Sequence, residues 1–100
     1  MYDMANLKKL KTVKELAPEA YAAYQAFDAA AMKDGAIPAK YKELMAIAVA
    51  LTTQCPYCIE IHAKKAKAAG CTEAEIAEAA MVATALRAGA AVTHAAHAIG

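Results

Sequence analysis

Cys55-Pro56-Tyr57-Cys58-Ile59-Glu60-Ile61-His62 is the stretch from which the organisation of the chain reads outward. Pro56 has no N–H to place in a preceding turn and is preset for the first helical position, which makes Cys55 the N-cap of a helix. Two thiols three positions apart can close a disulfide, and His62 follows Cys58 by four residues on the same face. A helix that opens on two thiols carries a redox pair or part of a metal site.

The surrounding composition sets the fold class. Of 100 residues, 60% are hydrophobic, and much of that is alanine, which suits closely approaching helices better than strands. The expectation is an all-α, compact single-domain bundle of about six helices over residues 1–100. A chain this short buries a limited core, so association with further copies is expected to help it.

Charge and cysteine usage narrow the function. Eleven basic and ten acidic residues leave a net charge of +1. No block of like charge exceeds the Lys8, Lys9, Lys11, Lys14 cluster, which reads as a solvated face, and nucleic acid is not expected as a partner. The longest apolar run, residues 44–51, is too short to span a bilayer, and the Ala-rich C-terminal stretch is interrupted by Arg87, His94 and His97. Residues 1–10 lack the apolar core of a signal peptide. A cytoplasmic protein with no membrane partner is expected. Three cysteines, an odd count, argue against a secreted disulfide framework and for thiols kept reduced until they react.

In chain order, Asn6 can cap a first helix through Leu7, Leu10, Val13 and Leu16. Pro18 suits the start of a second, with Tyr21, Tyr24 and Phe27 at helical spacing as core or interface and Gly35 as its left-handed C′ residue. Pro38 starts a third, with Leu44, Ile47, Ala48 and Leu51 on an apolar stripe running to about Gln54. The fourth helix runs from the Cys55 cap to about Ala69 and ends at Gly70. Thr72 and Glu75 form a capping box for a fifth through Ile76, Ala80, Val82, Ala83 and Leu86. Ala88-Gly89-Ala90 reads as a joint before a last helix holding His94 and His97.

At a helix N-terminus the free N–H groups and the macrodipole favour an anion, so both Cys55 and Cys58 are expected to be acidified. His62 can take the proton of Cys58, which singles out Cys58 as the base-assisted nucleophile and leaves Cys55 to resolve it. Glu43 lies roughly 18 Å along the axis from Cys55 if the third helix is straight. If the third and fourth helices fold back on each other around Gln54-Cys55, Glu43 and His62 come within side-chain reach. Glu43 is then part of a relay to His62 and Cys58; otherwise it is a solvent-facing helix residue.

Glu43, then Cys55, Cys58 and His62, resembles the Glu-x11-Cys-x-x-Cys-x3-His motif of the alkylhydroperoxidase D-like proteins of the carboxymuconolactone decarboxylase family. The strict motif covers Glu43 to His62. Gly35, Gly70, Thr72 to Glu75 and the Ala/His-rich tail agree more loosely. The resemblance implies an all-helical fold assembling as trimers or hexamers, with a thiol-dependent peroxidase or disulfide reductase activity that needs no cofactor and no metal. It implies a hydroperoxide substrate and a dithiol reductant or redox partner protein. By position Cys58 matches the peroxide-attacking thiol, Cys55 the resolving thiol, and His62 with Glu43 the relay. Tyr57 departs from the pattern, standing where such proteins carry a histidine that can act as a base at neutral pH. The cysteine pair argues against decarboxylation of the muconolactone ring, whose catalysts in this family lack it.

Two other classes fit the same residues less well. Cys55, Cys58, His62 and Cys71 can be read as four zinc ligands, but Cys71 lies beyond Gly70, roughly 13 Å along the axis from His62. Cys71 is expected as a small core hydrophobe, and His94 and His97 as interface or solvent residues. In the remaining class, the two thiols are an oxidation-sensitive clasp on a non-enzymatic scaffold.

Overall fold

A computed structural model describes residues 2–100, and among them every regular element is helical. The all-α fold is as expected, and its residues group into two compact units, one ending at Ala39 and one spanning Lys40–Gly100.

The first unit contains a 3-10 turn, Met4–Lys9, followed by α1 (Leu10–Leu16) and α2 (Pro18–Met32). The cap of the opening turn is Asp3 rather than Asn6, its carboxylate accepting the Ala5 N–H at 2.9 Å. Pro18 takes the first-turn position of α2 as its fixed φ requires. The helix stops at Met32, three residues before Gly35, because Lys33 turns to extended backbone. Gly35 instead donates to the Ile37 carbonyl at 3.2 Å. No described residue of this unit is buried. The Tyr21 and Tyr24 rings meet edge to face at 6.1 Å, while Tyr24 and Phe27 are 60% and 71% exposed, so the stripe is surface rather than core.

The second unit holds α3 (Ala39–Thr53), α4 (Pro56–Ala68), α5 (Glu73–His94) and a closing 3-10 turn, Ala95–His97. Asp34 supplies the cap that Pro38 cannot, accepting the Ala39 N–H at 2.6 Å. The α3 and α4 ends are built alike. After α3, Gln54 adopts φ 57° and the Cys55 N–H returns to the Ala50 carbonyl at 3.1 Å. After α4, Gly70 adopts φ 93° and the Cys71 N–H returns to the Ala66 carbonyl at 2.9 Å. Both are six-to-one bonds of a Schellman motif. The second satisfies the backbone and also packs its flanking residues, since Ala66 and Cys71 join Ile47 in the buried cluster, with Leu44 and Ile76 against it.

The Thr72–Glu75 capping box is formed, each side chain accepting from the other residue's N–H, at 3.1 and 2.8 Å. From it α5 runs unbroken through Gly89, where a joint was expected. One glycine costs a helix only about 1 kcal/mol, too little to break this one. With the 3-10 turn, Glu73–His97 is long and apolar enough to cross a membrane by length and composition.

Candidate active site

Cys55 occupies the hinge between two helix ends. Extended backbone (φ −101°, ψ 97°) makes it the N-cap of α4, with Pro56 in the first helical position. Its Sγ accepts the Cys58 N–H at 3.3 Å, and the two sulfurs lie 2.7 Å apart as free thiols. That separation leaves little movement before an S–S bond can form.

The two sulfurs are not equivalent acids. Cys55 is more acidic than its ordinary value, because the Cys58 thiol and the N–H groups of Cys58 and Tyr57 hydrogen-bond its anion. Cys58 is pushed up to about 11, because its proton is held by Cys55, its surroundings are partly dry, and the Cys55 charge opposes a second one. The expected acidification is therefore present at Cys55 and reversed at Cys58. The physical reason is that two thiols so close share one proton, and the sulfur at the N-cap is the better place for the negative charge. The expectation that Cys58 is the nucleophile rested on its spacing to His62, whereas the thiol lowered in the resting pair is Cys55.

Glu43 and His62 are brought together by the reversal of chain direction at Gln54-Cys55. Glu43 Oε2 lies 2.7 Å from His62 Nδ1, and the side chains are 12% and 18% exposed, which removes the solvent-facing reading of Glu43. A carboxylate at Nδ1 fixes the proton there and leaves Nε2 as the basic nitrogen. The hydrogen bonds thus join the four expected residues as two pairs, Glu43 with His62 and Cys55 with Cys58.

Cys71 stands apart, buried among Ile47 and Ala66 and donating to the Lys40 carbonyl at 3.5 Å. Among the described residues no three His, Cys, Asp or Glu side chains converge on a point, so the four-ligand zinc arrangement does not form. His94 gives its Nδ1 proton to the Ala90 carbonyl at 2.8 Å, and its ring lies 5.7 Å from that of His97 on the exposed end of the chain.

Two residues of this region were not singled out by sequence. Gln54 holds the left-handed turn that aims Cys55, a position at which glycine is the usual signal. Arg87 of α5 donates from Nη1 to the Thr52 carbonyl in the last turn of α3. A lone arginine in an alanine-rich helix gives no sign of where it reaches. Between α3 and α5 lies an open apolar recess of about 200 Å³ lined by Ala48, Val49, Thr52, Val82, Ala83 and Leu86.

Residues 18–99 match the sequence pattern of the carboxymuconolactone decarboxylase family. A Paracoccus denitrificans protein, called uncharacterized protein 4 in cox locus, is 48% identical over 73 residues, covering 73% of this chain and 66% of that protein. An uncharacterized Haemophilus influenzae protein is 49% identical over 49 residues, 49% of this chain and 43% of that one. The chain thus spans less than two thirds of the length of these curated relatives. Among solved structures, a protein from Methanobacterium thermoautotrophicum superposes with a TM-score of 0.81 at 35% identity, covering 86% of this chain and 97% of that one. The apo form of a carboxymuconolactone decarboxylase family protein from Legionella pneumophila gives 0.78 at 32% identity, covering 90% and 80%.

Proposed function

The chain belongs to the carboxymuconolactone decarboxylase family, and from that premise we propose that it is a thiol-dependent peroxidase or disulfide reductase working through Cys55 and Cys58. The observation that carries the reading is the 2.7 Å approach of two free thiols at a helix N-terminus, one of them an acidified N-cap. Decarboxylation, the other activity suggested by the family name, makes no use of such a pair.

The Cys55 thiolate attacks the outer oxygen of a hydroperoxide, forming S–O, breaking O–O and releasing the alcohol once the alkoxide is protonated. Cys58 then attacks the sulfenic sulfur, forming the disulfide and expelling hydroxide, which leaves as water. Cys58 enters this step as a thiol, so the step needs a base to take its proton. His62, oriented by Glu43, supplies Nε2 for that proton directly or through water. An external dithiol returns two electrons and two protons to the pair, emerging as a disulfide. With a partner disulfide in place of peroxide, the same thiolate opens that bond and Cys58 closes the exchange.

Self-association belongs to the same reading, with a second copy of the chain as occupant of the apolar face shared by α3 and α5. Val49 on α3 and Val82 and Leu86 on α5 line the recess and are all more than half exposed in the single chain, and large apolar residues grouped around one recess mark a protein interface.

The test of the redox reading is trapping. With one equivalent of tert-butyl hydroperoxide, Cys58→Ser stops at a Cys55 sulfenic acid that reacts with dimedone, and Cys55→Ser loses turnover. If instead Cys55→Ser reacts at the full rate and Cys58→Ser does not, the order of the two thiols is the reverse. If neither substitution slows peroxide consumption, the pair is not the site.

A further inference from the structure

Cys55 belongs to two helix ends of opposite sign. As the N-cap of α4 it faces free N–H groups and the positive end of a dipole, which favour its anion. As the residue after the Gln54 turn it also sits at the C-terminal end of α3, where unpaired carbonyls and the negative end of the dipole oppose that anion. Nothing in α3 itself offsets this, since its last turn holds no basic residue. The offset comes from elsewhere: the Arg87 guanidinium, carried by α5, is bound to the carbonyl of Thr52, three residues before Cys55.

We propose that Arg87 is a positioning residue of the thiol site, holding the end of α3 against α5 and neutralising that end so that the N-terminus of α4 decides where the negative charge rests. Geometry supports both halves. Thr52 and Thr53 turn their hydroxyls back to the Val49 carbonyl at 2.7 and 3.1 Å, leaving the guanidinium as the cationic donor at this terminus. The turn it steadies places the Cys55 N–H on the Ala50 carbonyl and so sets the direction in which Sγ points. Other charged or titratable groups on these elements are Lys40, Tyr41, Lys42 and Glu43 on α3, Tyr57, Glu60, His62, Lys64, Lys65 and Lys67 on α4, and Glu73, Glu75, Glu78 and His94 on α5, of which Glu43 and His62 bind each other.

The inference rests on the Cys55–Cys58 pair being the reactive centre, but its test uses no peroxide and is read separately from turnover. Arg87 is exposed, so its side chain can be changed without opening a cavity. The reduced chain, Arg87→Met and Arg87→Lys are alkylated with iodoacetamide across pH, the extent at Cys55 is read by peptide mass spectrometry, and thermal melting is recorded alongside. Met keeps the apolar stem and removes the charge, and should raise the Cys55 midpoint by about half a pH unit, the size expected of a charge at a helix end. Lys restores the charge as a single point and should recover most of that shift. An unmoved midpoint in Arg87→Met, whatever its melting temperature, overturns the proposal. So does a Lys variant that titrates like the Met variant, because the charge would then not be the acting feature.

Discussion

A sulfur at a helix N-cap behaves differently from one a turn later, and the contact between Cys55 and Cys58, with the drier surroundings of Cys58, widens the difference. The anion on Cys55 is held by the Cys58 N–H and the Cys58 thiol. Cys58→Ala removes the thiol donor, so the pH midpoint for alkylation of Cys55 should rise toward that of a free cysteine. The signs of the two linkages follow. Cys55, lowered in the fold, adds stability that is full above its ordinary value of 9.0 and is lost as pH falls through the lowered value. Cys58, raised, adds stability that is full below 9.0 and is lost as pH rises through about 11. Gln54 offers a second test at this scale, since a side chain at φ 57° carries strain that glycine lacks. Gln54→Gly should raise stability by about 0.5–1 kcal/mol in urea titration, the relief of strain exceeding the added freedom of the unfolded chain.

Helix ends were the best-announced elements in the sequence. Cys55-Pro56, Gly70 and the Thr72–Glu75 pair each combine a residue type with a fixed offset, and each forms the expected terminus. The ends that differed have local competitors. Asp3 captures the opening turn two residues before its first N–H partner, and Asp34 reaches five residues ahead to Ala39, spacings that no periodic pattern records. Gly89 misled because a glycine signals a joint only where φ or a close approach requires it, and here an added Cβ would meet nothing within 4 Å. The capping box predicts a measurable cost: Thr72→Ala should destabilise the fold by about 1 kcal/mol in thermal or urea unfolding. The reciprocal half of the box is pH-dependent. The Thr72 N–H and nearby Lys40 hold Glu75 below the usual carboxylate range. Its contribution is therefore present above pH 4.5 and lost as pH falls through the lowered value.

At the scale of the whole molecule, the site was legible where it is local and dark where it is not. The spacing of Cys55, Cys58 and His62 follows from one helix, and Glu43 could be placed opposite His62 by assuming a reversal between two helices, which the 2.7 Å contact bears out. Arg87 was invisible because its partner lies 35 residues away on a different helix. The division of acidity between the thiols was also hidden, since it depends on a sulfur–sulfur distance. Apolar composition suggested a core, yet among the described residues the buried hydrophobic set is Ile47, Ala50, Ala66, Cys71 and Ala83, while Val82 and Leu86 remain exposed. If α3 and α5 form the contact between copies, Leu86→Asp should lower the sedimentation coefficient in detergent-free buffer while leaving the helical signal unchanged. An unchanged oligomer would place the interface elsewhere.

The central claim is that Cys55 and Cys58 form one two-electron redox couple. Its most direct test is a count of free thiols per reduced chain before and after one equivalent of tert-butyl hydroperoxide, with each cysteine located by mass spectrometry and dithiothreitol added afterwards. The account predicts a fall from three free thiols to one, the survivor being Cys71, and a return to three with dithiothreitol. Three thiols persisting after peroxide, or loss of Cys71 in place of the pair, would contradict it.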